Sequence, residues 1–255
     1  MHGTEFRGLV HFISDIRFCS TREEEINRVE KELAHIREEF INPKKLDVYA
    51  RKKFILKLMY ISILGYSVDF GHIEAMELLH STKFEDKQVG YTVLGAFVNE
   101  RSELLRLMSQ QLLSDLTSKH ETHNTLALCF IANSGNAETG ETLGNNVSKI
   151  LMQQNARPYV IKKAALCLLH LFRKNADVVG PPANFVEKAK TLLQHTDAGV
   201  LTAVLSLIQG LAAAAAKEYE ILIPLICKLL NKVVIQKAVT VSSASSKQST
   251  NQPTI

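Results

Sequence analysis

The 255-residue chain contains no tryptophan, only 12 glycines and only 6 prolines. An all-β sandwich or barrel needs a turn about every 8–12 residues, and glycine and proline supply many of those turns. Their scarcity argues against such a fold. Apolar residues make up 46% of the chain and charged residues 22%, a balance that excludes global disorder and supports a sizeable packed core.

The chain is also poor in cysteine, and no Cys-x-x-Cys pair occurs. The four cysteines lie far apart in the sequence, which predicts neither a zinc site nor a disulfide framework and favours a reducing compartment. The first ten residues lack the basic and apolar regions of a signal peptide. The longest apolar run, residues 200–216, is interrupted by polar residues and is shorter than a bilayer span of about 20 residues, so it predicts a buried helix.

Apolar residues recur at steps of three and four along most of the chain, which is the spacing of one buried face of an α-helix. Residues 23–40 predict the first long helix, which Ser20 or Thr21 can cap and which residues 42–43 end. A second helix is expected from Leu46 to Leu64, ending at Gly65. No segment shows sustained alternation of period two, so the sequence predicts an all-α fold. The apolar stripe of the first long helix is Ile26, Val29, Leu33, Ile36 and Phe40.

The predicted helices repeat. Their apolar centres align at intervals of 35, 35, 38 and 38 residues, and the tripeptide Ala-Leu-Cys recurs at residues 127–129 and 165–167. Two helices per unit at such a period are typical of a HEAT- or armadillo-like solenoid. We therefore predict an N-terminal helix within residues 1–19, a solenoid over 20–238 and a disordered polar tail over 239–255. The aligned centres are Leu58, Val93, Leu128, Leu166 and Val204.

Signals for catalysis are weak. Residues 69–71 read Asp-Phe-Gly, but the glycine-rich loop and catalytic loop of a kinase are missing, so a turn between helices is the better interpretation. His120 and His123 have metal-ligand spacing but no further ligands nearby in the sequence. No nucleophile, base and orienting group occur together. The sequence predicts no enzyme activity, no metal and no cofactor.

One feature stands above this background, a basic cluster between Lys44 and Lys57 that holds one acid, Asp47. On a helix, Tyr49, Lys53 and Lys57 fall on one face at steps of four. Such a face suits an inositol phosphate head group, and a solvated basic face is equally compatible. Nucleic acid is not favoured, because aromatic residues do not alternate with the basic ones. The basic residues are Lys44, Lys45, Arg51, Lys52, Lys53 and Lys57.

Several segments together resemble the adaptins, the large subunits of clathrin adaptor complexes, and most closely the alpha type of adaptor complex two. The gamma type shares LGY and KKAALC but lacks the opening RGL-x-x-FISDIR. The matching segments are RGLVHFISDIR (residues 7–17), KELAHIR (31–37), YARKKFILKL (49–58), LGYSVDFGHIEA (64–75), KFEDKQVGY (83–91) and KKAALCLLHLFR (162–173).

The resemblance implies a right-handed α-solenoid trunk that assembles with a sigma small, a beta large and a mu medium subunit. It implies a peripheral location at the cytoplasmic face of the plasma membrane, in clathrin-coated pits, with clathrin as an indirect partner. The chain is shorter than an adaptin trunk, so we expect a truncated trunk, and the hinge and appendage functions are not assigned to it.

The resemblance also implies a site for phosphatidylinositol 4,5-bisphosphate at the start of the trunk. Glu39 stands where the family has a lysine of this pocket, which is expected to weaken binding or to shift it towards Lys44 and Lys45. The matching positions are Arg7, Gly8, Tyr49, Lys53, Phe54 and Lys57, with Arg51 and Lys52 in the adjoining basic run.

Arg17 holds the position of an adaptin arginine that meets the acid of acidic dileucine cargo signals beside the sigma subunit. A salt bridge to Asp15 or Glu24 is the alternative role. For the whole chain, the alternative is a free-standing helical-repeat protein that binds acidic partners through its basic cluster. A steep loss of binding with salt would favour that alternative, and salt-resistant selectivity for bisphosphorylated inositide would favour the adaptin.

Overall fold

A computed structural model of the chain describes residues 6–41, 46–98 and 103–232. Within these ranges the secondary structure is helical with no β-strand, which confirms the all-α prediction. Of the helices described, none is long and apolar enough to cross a bilayer. The helices are α1 (Arg7–Phe18), α2 (Arg22–Ile41), α3 (Val48–Ile63), α4 (His72–Leu79), α5 (Phe84–Phe97), α6 (Glu103–Leu116), α7 (Glu121–Ser134), α8 (Ala137–Leu151), α9 (Pro158–Lys174), α10 (Val186–Leu192), α11 (Ala198–Ala212) and α12 (Ala216–Tyr219), followed by a helical segment over 223–232.

The ends of the first helices follow from local chemistry. The Thr21 hydroxyl accepts a hydrogen bond from the Glu24 N–H at 3.2 Å, and the Glu24 carboxylate accepts one from the Ser20 N–H at 2.8 Å. Two backbone N–H groups at the start of α2 thus have side-chain acceptors. Helix α3 ends before Gly65, whose φ of 96° is the left-handed conformation that favours glycine. Both boundaries agree with the sequence. The predicted tail, residues 239–255, lies outside the described residues.

The helices stack in a repeating pattern. Each of α3, α5, α7 and α9 packs against the next odd-numbered helix, up to α11, and α5, α7, α9 and α11 also pack against the helix that precedes them. A continuous core runs through this stack. The arrangement confirms a helical-repeat solenoid, in which neighbouring units cover one another's apolar faces.

The register of the repeats differs from the sequence alignment at one helix. Leu166 is 39% exposed, whereas the other aligned centres are fully buried. The recurrence of Ala-Leu-Cys is the reason for the error, because in α9 the buried face has moved by one residue and includes Cys167 and Leu168.

A buried polar cluster joins α5, α6 and α7. The Lys87 ammonium donates to both carboxylate oxygens of Asp115, at 2.7 and 3.0 Å, and the Tyr91 hydroxyl donates to the same carboxylate at 2.6 Å. The Asn124 amide donates to the backbone carbonyl of Asp115 at 2.8 Å. Burial, together with the hydrogen bond to Asp115, raises the pKa of Tyr91. The cluster therefore ties two successive repeats together.

Replacing Asp115 by Ala should lower the free energy of unfolding by about 3–5 kcal/mol, because Lys87 would stay buried without a counter-charge. Tyr91→Phe removes one hydrogen bond and leaves the ion pair intact, so it should cost about 1 kcal/mol. Urea unfolding followed by circular dichroism measures both. Equal costs for the two variants would contradict this account of the cluster.

Candidate functional site

The N-terminal helix is attached to the solenoid through Phe12. This side chain is fully buried and packs in one cluster with Ile16, Val29 and Ile61, which come from α1, α2 and α3. The Arg28 guanidinium lies 4.8 Å from the centre of the Phe12 ring. Helix α1 therefore has a defined seat on the first repeat.

A buried ion cluster lies beside this seat. The Glu32 carboxylate accepts hydrogen bonds from the Lys57 ammonium and from Arg28, the latter at 2.8 Å, and Arg28 also pairs with Asp15 of α1 at 3.1 Å. Glu32 and Lys57 are only 6% and 7% exposed. Burial alone would raise the pKa of Glu32, but the hydrogen bonds from Lys57 and Arg28 outweigh burial and lower it. The cluster thus links α1, α2 and α3.

Two more cations of α3 are paired with neighbouring helices. Arg51 pairs with Glu77 of α4 at 2.7 Å, and Lys52 pairs with Asp86 of α5 at 2.8 Å. Burial opposes the ionised form of Asp86, yet hydrogen bonds from Lys52 and Ser81 lower its pKa. Both cations are largely shielded from solvent.

These contacts correct the predicted basic face. Sequence reasoning placed Lys57 on one open face with Lys53 and added Arg51 and Lys52. Each of Lys57, Arg51 and Lys52 is bound to an acid on an adjacent helix. The physical reason is that α3 packs against α2, α4 and α5, which leaves little of it open beyond its first turns. Phe54 is buried as well. The signal for the Lys57 contact was Glu32, an acid inside the apolar stripe of α2.

Four of the predicted residues do come together where α1 and α3 begin. The Phe6 ring stacks on the Tyr49 ring with centroids 6.2 Å apart. A Cβ at Gly8 would lie 3.2 Å from Cδ of Lys53, which is tighter than an ordinary contact, so glycine lets the lysine pass close to α1. Arg7 lies between Phe6 and Gly8 in the sequence, and its side chain is exposed. Arg7, Gly8, Tyr49 and Lys53 form what we call the head-group site.

Two aromatic rings connect Lys53 of the head-group site with Glu39 of α2. The Lys53 ammonium lies 4.3 Å from the centre of the Phe54 ring, and the His35 ring contacts the same ring edge-on with centroids 5.7 Å apart. Nε2 of His35 lies 3.6 Å from a carboxylate oxygen of Glu39. Sequence reasoning missed His35, although its spacing of four residues from Glu39 was visible. Residues 44–45, the expected substitutes for the family lysine, lie outside the described residues.

Arg17 lies exposed at the end of α1. Asp15 is bound by Arg28, and Glu24 caps the start of α2, so neither acid forms the alternative salt bridge. In the described part of the chain no carboxylate pairs with Arg17. The guanidinium is therefore open to a partner.

The Asp-Phe-Gly segment and the pair His120 and His123 are the remaining sequence signals. Gly71 has a φ of 91° at the start of α4, and a Cβ there would lie 2.5 Å from Cδ1 of Leu58, so glycine is required where the connection from α3 enters α4. The Asp-Phe-Gly segment therefore lies between two helices. The rings of His120 and His123 lie 5.2 Å apart. Within residues 6–41, 46–98 and 103–232, no group of three or more candidate ligands could hold a metal ion.

Stacked helix pairs with an extra helix docked at their start define a helical-repeat protein. The chain belongs to the adaptin family, because the family model described as "Adaptin N terminal region" matches residues 25–252. It is 42% identical over 234 residues to the AP-2 complex subunit alpha-2 of Dictyostelium discoideum, which covers 92% of this chain and 24% of that protein. The corresponding values for the AP-2 complex subunit alpha-1 of Arabidopsis thaliana are 42% over 230 residues, 90% and 23%.

The gamma type is less similar. The AP-1 complex subunit gamma-1 of Mycosarcoma maydis is 32% identical over 225 residues, covering 87% of this chain and 25% of that protein. A homology model of the full-length AP-3 complex in an intermediate open conformation matches with a TM-score of 0.60 and 22% identity, over 73% of this chain and 32% of that chain, and shows the shared fold. These values confirm the resemblance to the alpha type. The chain spans about a quarter of the curated relatives it matches.

The Glu32 cluster predicts a pH dependence. Glu32→Gln should lower the free energy of unfolding by about 1–3 kcal/mol at pH 7, because Arg28 and Lys57 lose their counter-charge. The lowered pKa of Glu32 means that its stabilisation is present above the unfolded value of 4.5 and is lost as the pH falls through the folded value. The difference between wild type and variant should therefore narrow below about pH 4.5.

Urea unfolding at pH 7, 5, 4 and 3 measures this difference. Glu39→Gln is the matched control, since Glu39 lies exposed on the same helix, and it should change stability little at any of these pH values. A gap between wild type and Glu32→Gln that stays constant with pH would refute the assignment.

Proposed function

We propose that this chain forms the start of the trunk of an alpha-type clathrin adaptor large subunit and acts without catalysis in clathrin-mediated endocytosis. The observation that carries the proposal is the 42% identity to AP-2 alpha subunits over about nine-tenths of the chain. The proposed location is the cytoplasmic face of the plasma membrane, in coated pits, with the protein held there peripherally.

The head-group site supports binding of phosphatidylinositol 4,5-bisphosphate. Lys53 and the exposed Arg7 supply positive charge, the Tyr49 hydroxyl can donate a hydrogen bond, and Gly8 keeps the backbone of α1 close to Lys53. Phosphate oxygens accept bonds from such groups strongly because the donors are charged. Glu39 is a nearby source of repulsion, so the site should bind moderately.

Assembly with sigma, beta and mu subunits is the second part of the proposal, with clathrin as an indirect partner. Large apolar side chains are exposed near α1 and at the end of α3, with Phe18 83% and Ile63 68% exposed. Apolar surface of this kind is typical of a subunit interface. Co-purification with a sigma-type subunit tests the assembly directly.

Replacing Arg7 and Lys53 together by Glu should weaken binding to liposomes containing phosphatidylinositol 4,5-bisphosphate at least about tenfold, since each basic group near such a surface contributes about 1 kcal/mol. Glu39→Gln should strengthen the same binding several-fold by removing repulsion. Lys57 is left unchanged because it is buried in the Glu32 cluster. Liposome co-sedimentation measures all three proteins.

Two controls complete the liposome experiment. Lys217→Glu with Lys228→Glu changes the net charge equally at exposed positions far along the chain, and should leave binding within about twofold of wild type. Liposomes with phosphatidylserine at equal total charge test selectivity. Equal weakening by both double variants, or equal binding to both lipids that falls steeply with salt, would favour the free-standing polyanion-binding protein.

Arg17 is proposed to contact the acid of acidic dileucine cargo signals once the sigma partner is present. Arg17→Ala should weaken binding of such a peptide several-fold, because one exposed, charge-assisted contact contributes about 1 kcal/mol. Fluorescence anisotropy of a labelled cargo peptide measures the change. Tyrosine-based signals, which the family reads on its mu subunit, should bind unchanged. Equal weakening of both signal classes would assign Arg17 to assembly.

A further inference from the structure

A second group of basic side chains lines a groove between α7 and α9. The groove has a volume of about 310 Å³. It adjoins a groove of about 260 Å³ between α5 and α7, and the two share Cys129 and Asn133. The lining side chains from α9 include Lys163, Leu166, His170 and Arg173. Because these four are spaced by three, four and three residues, they form one stripe along α9.

The charge of this groove is of one sign. No aspartate or glutamate lines it, and in the described part of the chain neither Lys163 nor Arg173 forms an ion pair. Lys163 is half-buried, so it has lost part of its hydration shell, and no acid compensates for that loss. Nε2 of His170 is shielded from solvent and has no hydrogen-bond partner in the described structure. These groups are set to receive an anionic ligand that also offers hydrogen-bonding atoms.

An apolar contact lies between the two charges. The one-residue shift of register in α9 turns Leu166 outward, so that a leucine 39% exposed stands in the groove where a buried residue was expected. Lys163 and Arg173 are ten residues apart, which along an α-helix is about 15 Å. An extended peptide covers this distance in about four to five residues, and its alternate side chains point the same way.

We propose that the groove between α7 and α9 binds an extended acidic peptide segment of a protein partner. One carboxylate pairs with Lys163, an apolar side chain two residues later packs on Leu166, and a second carboxylate after two more residues pairs with Arg173. The site is independent of the lipid and cargo contacts proposed above, because none of its residues belongs to α1, α2 or α3.

Fluorescence anisotropy with a labelled peptide that contains Glu-Ser-Leu-Ser-Glu tests the proposal on the full chain. A peptide of the same composition in the order Glu-Glu-Leu-Ser-Ser keeps the charge but loses the spacing, and should bind at least fivefold more weakly. Lys163→Glu with Arg173→Glu should weaken binding of the first peptide at least about tenfold, since both contacts become repulsive. Leu166→Asp should weaken it several-fold.

The controls separate this site from general charge and from misfolding. Lys217→Glu with Lys228→Glu changes the net charge equally and should leave peptide binding within twofold, as should Arg7→Glu with Lys53→Glu. Lys163→Gln with Arg173→Gln, which removes charge without repulsion, should weaken binding at least fivefold with an unchanged circular dichroism spectrum. Absence of binding, equal binding of the two peptides, or equal loss in all double variants would overturn the proposal. Inositol hexakisphosphate is then added to the variant Arg7→Glu with Lys53→Glu while the peptide is bound. If it displaces the peptide, the groove is a phosphate site and the proposal of a peptide site is overturned.

Discussion

The Glu32 carboxylate holds the first three helices together. It is buried and forms ion pairs with two cations, Arg28 from its own helix and Lys57 from α3. Arg28 also forms an ion pair with Asp15 of α1, so the cluster joins all three helices. A buried charge is costly unless all its partners are in place, so this cluster favours one arrangement of the three helices over others. The start of α1 then lies against the start of α3, which brings Gly8 beside Lys53. The Glu32 cluster sets this arrangement, so the residues of the head-group site do not need to attract one another.

The helices of this molecule could be predicted from the sequence, whereas the ion-pair partners of the α3 cations could not. The helices follow from the spacing of apolar residues, because an α-helix has 3.6 residues per turn and buries one face. The start of α2 follows from its cap at Thr21, and the end of α3 follows from Gly65. The partners of the α3 cations do not follow from a count of charges, because they depend on which helices pack against α3. Glu32 was the readable sign, since it lies three residues after Val29 and four before Ile36, on the stripe that must be buried.

Positive charge on this solenoid therefore falls into two groups. Lys57, Lys52 and Lys87 are paired with acids and hold helices in register, whereas Lys53, Arg17, Lys163 and Arg173 form no ion pair within the described residues. The second set lies on separate parts of the solenoid, near the start of α1 and α3, at the end of α1 and along α9. In a stack of repeats, each unit is held by its neighbours, which keeps these side chains at fixed distances from one another. The error at Leu166 shows how sensitive this prediction is, because a shift of one residue along α9 moves an apolar side chain from the core to the surface of a groove.

The most direct test of the central claim is a double-mutant cycle between Lys57 and Glu32. Glu32→Leu should lower the free energy of unfolding by about 3–5 kcal/mol, because Lys57 stays buried without its counter-charge. Lys57→Met should cost less, because Glu32 keeps its ion pair with Arg28. The double variant should be more stable than Glu32→Leu alone, since it removes both charges of the pair, with a coupling energy of at least about 1 kcal/mol. Costs that simply add in the double variant would show that the two side chains do not interact and would contradict the account.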